Sequence, residues 1–188
     1  MNADSVLSHR RVPGPEAPHG EVPVPTGRGG RRSAWRGAAA ALHSVGAVTT
    51  VLLALAAIGA AISEPVLIPS LAATAGVLHS APTLPMAQPR SVVVAHMLGA
   101  GAGYAVLAVA QSSPWSAALA GGLTFAATTL ARTPHSPACA TAVVVVLQTP
   151  APARFVPLLL VASVVLVVAG FAASRLRRGA ARYPVRWW

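Results

Sequence analysis

The sequence has 188 residues, of which 54% are hydrophobic and only 10% charged, and its mean hydropathy is +0.62. A soluble domain of this length carries about 25% charged residues to keep its surface wet, so a water-facing globule is excluded. The net charge of +10 does not point to nucleic acid either, because the cations flank the apolar region: all fourteen basic residues are arginines, six at positions 10 to 36 and five at positions 175 to 186.

Residues 1 to 36 hold five prolines, five glycines, six arginines and three acids without apolar periodicity. That composition predicts a disordered basic arm, with anionic lipid as its contact. The first apolar run starts only after Arg36 and continues for 25 residues, too late and too long for a cleaved secretion signal, so it reads as a retained span. Apolar runs bounded by proline, glycine and charge then give segments at about 38 to 62, 66 to 80, 91 to 110, 114 to 132, 138 to 148 and 155 to 174. At about 1.5 Å per residue the first, third, fourth and sixth can cross a hydrocarbon core of about 30 Å. The second and fifth, at 15 and 11 residues, reach only about 22 Å and 17 Å and suit re-entrant or broken helices.

The expected fold is therefore all-α: a polytopic transmembrane bundle over residues 37 to 175, with four long spans, two short helices and a basic tail at 176 to 188. Continuous apolar runs disfavour a β-barrel, whose strands alternate. The order long, short, long occurs twice. Ser63-Glu64-Pro65 and Ala81-Pro82 bound the first short piece, and Thr133-Pro134-His135-Ser136-Pro137 and Thr149-Pro150 bound the second. Two fourteen-residue frames, Pro69 to Pro82 and Pro137 to Pro150, contain Thr74 and Thr141. Paired, Pro-interrupted short segments point to two three-segment repeats around a transport site at mid-membrane. Arginine-rich ends place both termini on the cytoplasmic side of the cell membrane and require an even number of crossings, four or six.

Few side chains in the apolar region could carry chemistry. Glu64 is the only acid after residue 21; before Pro65 it reads as a helix cap or as a coupling carboxylate. In Arg132-Thr-Pro-His135-Ser136-Pro137, Ser136 is placed to cap the following short helix, with Pro137 in its first turn. The exposed N–H groups of such a terminus, beside Arg132 and His135, would attract a small anion such as nitrite, nitrate or a carboxylate. Arg132 as a mere interface marker is the competing reading. His43, His79 and His96 lie inside apolar segments, where a histidine usually bridges helices. No two histidines have i, i+4 spacing, no acid accompanies them, and Cys139 is single, so no metal site, disulfide or cofactor is expected. Gly99 and Gly103 form a Gly-x-x-x-Gly that serves intrachain packing or a homo-oligomer equally well. There is no nucleophile elbow and no phosphate loop, and the chain does not read as an enzyme.

Two stretches together resemble the HPP family of integral membrane proteins: Pro85-Met86-Ala87-Gln88-Pro89-Arg90 followed by His96, Gly99 and Gly103, and then Thr133-Pro134-His135-Ser136-Pro137-Ala138-Cys139-Ala140-Thr141. The resemblance covers about residues 38 to 175. It departs from the family's His-Pro-Pro at Ser136, which stands where the first proline would be. Some photosynthetic members are associated with nitrite transport, so the resemblance implies a small-anion permease with Arg132, His135, Ser136 and Thr141 at its site and Gln88 and Arg90 as their complement. His96 and Glu64 would be coupling or structural polar groups. The alternative is a non-transporting accessory protein of the membrane.

Overall fold

A computed structural model of the chain describes residues 28–176 and 181–187, with side chains from Gly37 onward. The chain divides at Ala38. Before that point the described residues only open the first helix, and the unit Ala39–Trp188 holds the rest. Its elements are α1 (Arg28–Ile62), α2 (Pro69–Ser80), α3 (Pro89–Leu107), α4 (Pro114–Leu130), α5 (Pro137–Gln148) and α6 (Pro152–Leu176), with one 3-10 turn at Pro85–Ala87. No strand occurs among the described residues. The expected boundary at residue 36 falls inside α1, and residues 1–27 of the expected arm lie outside the described residues.

Proline sets where the helices begin. Each of α2 to α6 opens on one, at the position where the missing N–H costs nothing and the fixed φ is already helical. Two helices are ended in the same way. Ser63 (φ 55°) and Arg132 (φ 53°) are left-handed, and at each the chain folds back. Ser63 N bonds Ala60 O at 3.4 Å and Glu64 N bonds Gly59 O at 3.0 Å; Arg132 N bonds Thr129 O at 3.1 Å and Thr133 N bonds Thr128 O at 2.9 Å. This paired pattern satisfies the last carbonyls of α1 and α4. A proline two residues on, Pro65 or Pro134, prevents the helix from resuming.

Among the described residues, three helices are long and apolar enough to cross a bilayer: α1 from Gly37, α3 with 19 residues and α6 with 25. The fourth expected span, α4, is shorter at 17 residues. The two expected short segments are helices of 12 residues each; α2 starts at Pro69 rather than near residue 66 because residues 64–68 are not helical, Val66 N turning back onto Glu64 O at 2.9 Å. Glu64 therefore does not cap α2. Its carboxylate accepts from Arg154 at 3.0 Å instead, with the Arg154 side chain 76% exposed, a pairing worth about 0–1 kcal/mol.

At the centre α3 packs against α4, α5 and α6, while α2 packs against α5 and α6. Leu55, Leu71, Ala75, Leu78, Val92, Val145, Leu159 and Leu166 form the main core, and Val106, Ala117, Ala120, Ala142 and Val146 seal α3, α4 and α5. Outward faces are apolar too. Leu42, Val45 and Leu53 on α1, Trp115, Leu119, Phe125 and Leu130 on α4, and Val161 and Val168 on α6 are all exposed, far more apolar surface than water tolerates. Lipid is the medium that matches it.

The close approach of α3 to α5 decides between the two readings of Gly-x-x-x-Gly. A Cβ at Gly99 would collide with the Ala138 carbonyl, and one at Gly103 would lie 2.8 Å from Val145 Cβ. Both glycines serve packing within the chain. Gly101, on the same helix, has nothing within 4 Å of its missing Cβ. Gly99→Ala is expected to cost about 1–3 kcal/mol through overpacking against an immovable backbone. Gly101→Ala should gain about 0.5–1 kcal/mol from helix propensity. Thermal unfolding of both variants in detergent checks the opposite signs.

Candidate functional site

The half-length helices meet at a set of buried polar side chains. Ser70, Thr74, His96 and Thr141 are fully buried and His135 is 2% exposed. α2 supplies Ser70 and Thr74, α3 supplies His96, α5 supplies Thr141, and the turn before α5 supplies His135. The His96 ring lies between the two short helices, with Nε2 2.9 Å from Thr74 Oγ1 and Nδ1 2.7 Å from Thr141 Oγ1. Thr74 Oγ1 is also 2.9 Å from His135 Nε2 and 2.9 Å from its own helix's Ser70 carbonyl oxygen. Thr141 Oγ1 lies 2.9 Å from Ser70 Oγ. His135 Nδ1 lies 2.7 Å from the Met86 carbonyl oxygen, to which it donates. The two imidazole rings are edge to face, with centroids 5.1 Å apart.

Such a cluster inside an apolar bundle is stable only if its members satisfy one another, since an orphaned buried polar group costs about 1–3 kcal/mol. Sequence position explains why they can. His96 precedes Gly99 by one turn, so the helix contact that Gly99 permits with Ala138 and Thr141 carries the imidazole onto α5. Each threonine sits inside one of the two short helices, whose Pro69 and Pro137 fix their starting points.

Of the residues anticipated from sequence, the structure gathers His135, Thr141 and His96. Arg132 and Ser136 flank them but are exposed. The expected Ser136 cap is absent: its side chain makes no capping bond and its backbone is already helical. The expected open N–H groups at the start of α5 are engaged as well, Ala138 N bonding His135 O and Cys139 N bonding Ser136 O, each at 3.1 Å. Local 3-10 bonds have taken the donors that an anion would need.

Gln88 and Arg90 hold structure together elsewhere. Arg90 donates to the Ala131 carbonyl at 3.2 Å, tying the start of α3 to the negative end of α4. Gln88 Nε2 donates to Pro82 O at 3.0 Å and Leu84 O at 2.9 Å, while its Oε1 accepts from the Val185 and Arg186 N–H groups at 2.9 Å and 3.2 Å. The amide thus clamps the C-terminal tail onto the loop before α3. Tyr183 is buried in that tail, against Gly170, and its carbonyl accepts from Ser174 Oγ at 3.2 Å. His43 and His79 line a separate cavity of about 580 Å³ between α1, α2 and α6. Ser70 and the role of Thr74 had no signal in the sequence beyond the frame that contains Thr74. No group of three metal-ligating side chains occurs among the described residues.

The family described as HPP, transmembrane region, matches residues 31–184. The chain belongs to the HPP family. Membership and the apolar helices together make it an integral membrane protein. The match takes in all five members of the cluster and the tail as far as Tyr183 and Pro184. No curated protein and no solved structure matches the chain.

Thr74→Val keeps the shape of the side chain and removes the oxygen shared by both histidines. It should destabilise the protein by roughly 2–5 kcal/mol, because two buried imidazole nitrogens lose their partner, read as a lower unfolding temperature in detergent.

The Tyr183 hydroxyl is buried without a hydrogen-bond partner, and burial pushes its pKa above the ordinary tyrosine value. The docked tail therefore holds a neutral phenol. That contribution is present below the free tyrosine value of about 10 and is lost as pH rises toward the raised value. Tyr183→Phe should be neutral or stabilising by about 1 kcal/mol, whereas Tyr183→Ala, which leaves a cavity, should cost about 3–5 kcal/mol. Limited proteolysis of the tail at neutral pH separates the two.

Proposed function

We propose that the chain is a permease for a small inorganic anion of the nitrite kind. Four spans, α1, α3, α4 and α6, would cross the membrane around the half-length pair α2 and α5, with both arginine-rich termini on the cytoplasmic side against anionic lipid. The observation that carries this reading is the buried cluster at the junction of the two half-length helices: a polar centre at the core of an apolar bundle, joined by residues from both halves of the chain. Polar groups at membrane depth are expensive and mark solute paths.

Three further features support it. The matching ends of α1 and α4, each a left-handed residue followed two positions later by proline, are what a duplicated long-short-long architecture produces at equivalent points. The charge inventory favours an anion, since Arg90, Arg132 and Arg154 lie in the apolar region and Glu64, the acid there, is paired with Arg154 at the rim. A cation path would need carboxylates or converging carbonyls. Nitrite in particular rests on what the family resemblance implies. The chain is read as non-enzymatic because Ser70 and Thr141 are bonded to histidine or to each other with no acid among the described residues beside them to complete a nucleophilic set.

One observation favours the accessory-protein reading: the cluster's hydrogen bonds are closed on themselves, as in a purely structural network. Uptake by proteoliposomes distinguishes the two. The permease reading expects saturable nitrite uptake above empty liposomes, competed by nitrate and abolished by His135→Ala in a preparation that remains folded. Absence of flux from folded wild-type protein would leave the accessory role.

A further inference from the structure

Two hydrogens of the cluster are fixed by their neighbours. A carbonyl only accepts, so the contact with Met86 O requires hydrogen on His135 Nδ1, and in neutral His135 the other nitrogen, Nε2, is then an acceptor. Thr141 donates its single hydrogen to Ser70 Oγ, so the contact with His96 Nδ1 requires an N–H there, and Nε2 of neutral His96 is an acceptor too. The one hydrogen of Thr74 is then sought by both Nε2 atoms, each 2.9 Å away, and by the Ser70 carbonyl oxygen at 2.9 Å. With both histidines neutral, at least one buried imidazole nitrogen is left without a donor.

One proton completes the set. Placed on His135 Nε2, it donates to Thr74 Oγ1, and the Thr74 hydrogen turns to His96 Nε2. Both Nε2 contacts are then satisfied and no heavy atom moves.

We propose that His135, Thr74 and His96 form a one-proton site, loaded at His135 Nε2 and switched by rotation of the Thr74 hydroxyl. Resting on the permease reading, the proton is then the co-substrate whose buried positive charge the carried anion neutralises. The step balances: neutral His135 and one proton give one imidazolium, with the hydroxyl hydrogen conserved on Thr74. The charge can also pass to His96: Thr74 gives its hydrogen to His96 Nε2 as it takes the one leaving His135 Nε2, so the hydroxyl is restored and the pair holds one proton in either polarity.

A second proton is opposed by the first, because the ring centroids are 5.1 Å apart and, among the described residues, no carboxylate faces them. The surrounding elements confirm that setting. α5 brings Thr141 and half-buried Cys139, the turn brings exposed Arg132, and Arg90 at the start of α3 is held on the Ala131 carbonyl. The buried faces of α4 (Ala117, Ala120, Thr124, Thr128) and α6 (Phe155, Leu159, Ala162, Ser163, Leu166, Val167, Gly170) carry no ionisable group. From α1 come Val51 and Leu55. A proton placed here has no acid among the described residues to neutralise it, which is why an anion would complete the site.

Full-length protein with 15N-labelled histidine, in lipid nanodiscs, tests the site directly. Nitrogen shifts at alkaline pH should show both His135 and His96 as Nδ1–H tautomers, each assigned by its His→Gln variant. Acidification should add one N–H to the pair. Thr74→Ser, which keeps the hydroxyl, should preserve this pattern, and Thr74→Val should abolish the uptake. Opposite tautomers in the wild type, or a pair that takes up no proton while the protein stays folded, would overturn the proposal.

The flux arm uses proteoliposomes and nitrate, whose strong conjugate acid does not diffuse through lipid as a neutral molecule. Accumulation driven by an acid exterior, lost in Thr74→Val and kept in Thr74→Ser, is the expected result. Nitrate flux indifferent to the pH gradient overturns the coupling and leaves the permease reading intact. One-proton uptake in nanodiscs without anion flux overturns the permease reading and leaves the proton site.

Discussion

The structure depends on how closely α3 can approach α5. Gly99 lies against the Ala138 carbonyl and Thr141, and Gly103 lies against Val145 and the Ala142 carbonyl, so two helices touch backbone to backbone over a full turn. In lipid there is no hydrophobic gain from bringing apolar helices together, and such contacts are held by dispersion and by polar groups that find partners across the gap. Here both act at one place. The glycine contact positions His96, and His96 joins α2 to α5 through Thr74 and Thr141. Separating α3 from α5 would lose packing and also leave polar groups alone in hydrocarbon.

The second constraint is how an apolar chain is cut into helices of unequal length. Hydrophobicity alone would let α1 run on toward α2 and α4 toward α5. Ser63 and Arg132 stop them by adopting a left-handed conformation that glycine adopts more cheaply, and Pro65 and Pro134 make the break permanent. Those breaks leave the non-helical segment 64–68 ahead of α2 and the turn bearing His135 ahead of α5. A glycine at either point would satisfy the same backbone bonds, so the strain itself is not what the cluster needs. What it needs is the break.

Much of this was legible in the sequence because it depends on local chemistry. The expected segment starts fell within three residues of the prolines that open α2 to α6, the short segments emerged as 12-residue helices, and the motifs that resembled the family led to His96, His135 and Thr141. What failed to appear depends on contacts distant in the chain. Ser136 has the composition of a cap, but a 3-10 turn had already used the N–H groups it would have served. Gln88 and Arg90 look like solute ligands in a loop, yet they hold a tail 97 residues away and a helix end 41 residues away. Glu64 beside Pro65 looks like a cap, yet the helix begins five residues later and the acid meets Arg154 across the bundle rim. Ser70 and Thr74 are ordinary helical hydroxyls until the fold places a histidine against them.

The clamp on the tail gives that last point its physical form. Gln88 uses its amide nitrogen on the loop before α3 and its amide oxygen on Val185 and Arg186, so one side chain fixes the geometry of the segment that also presents the Met86 carbonyl to His135. That carbonyl sets the His135 tautomer, so Nε2 is the atom left to face Thr74. The hydrogen on that ring is thus placed from outside the cluster, by a loop that is itself tied to the C-terminal tail. At the other end Thr141, donating to Ser70 Oγ, does the same for His96. Two rings whose Nδ1 atoms are both engaged can gain a proton only where they meet, at the Thr74 oxygen.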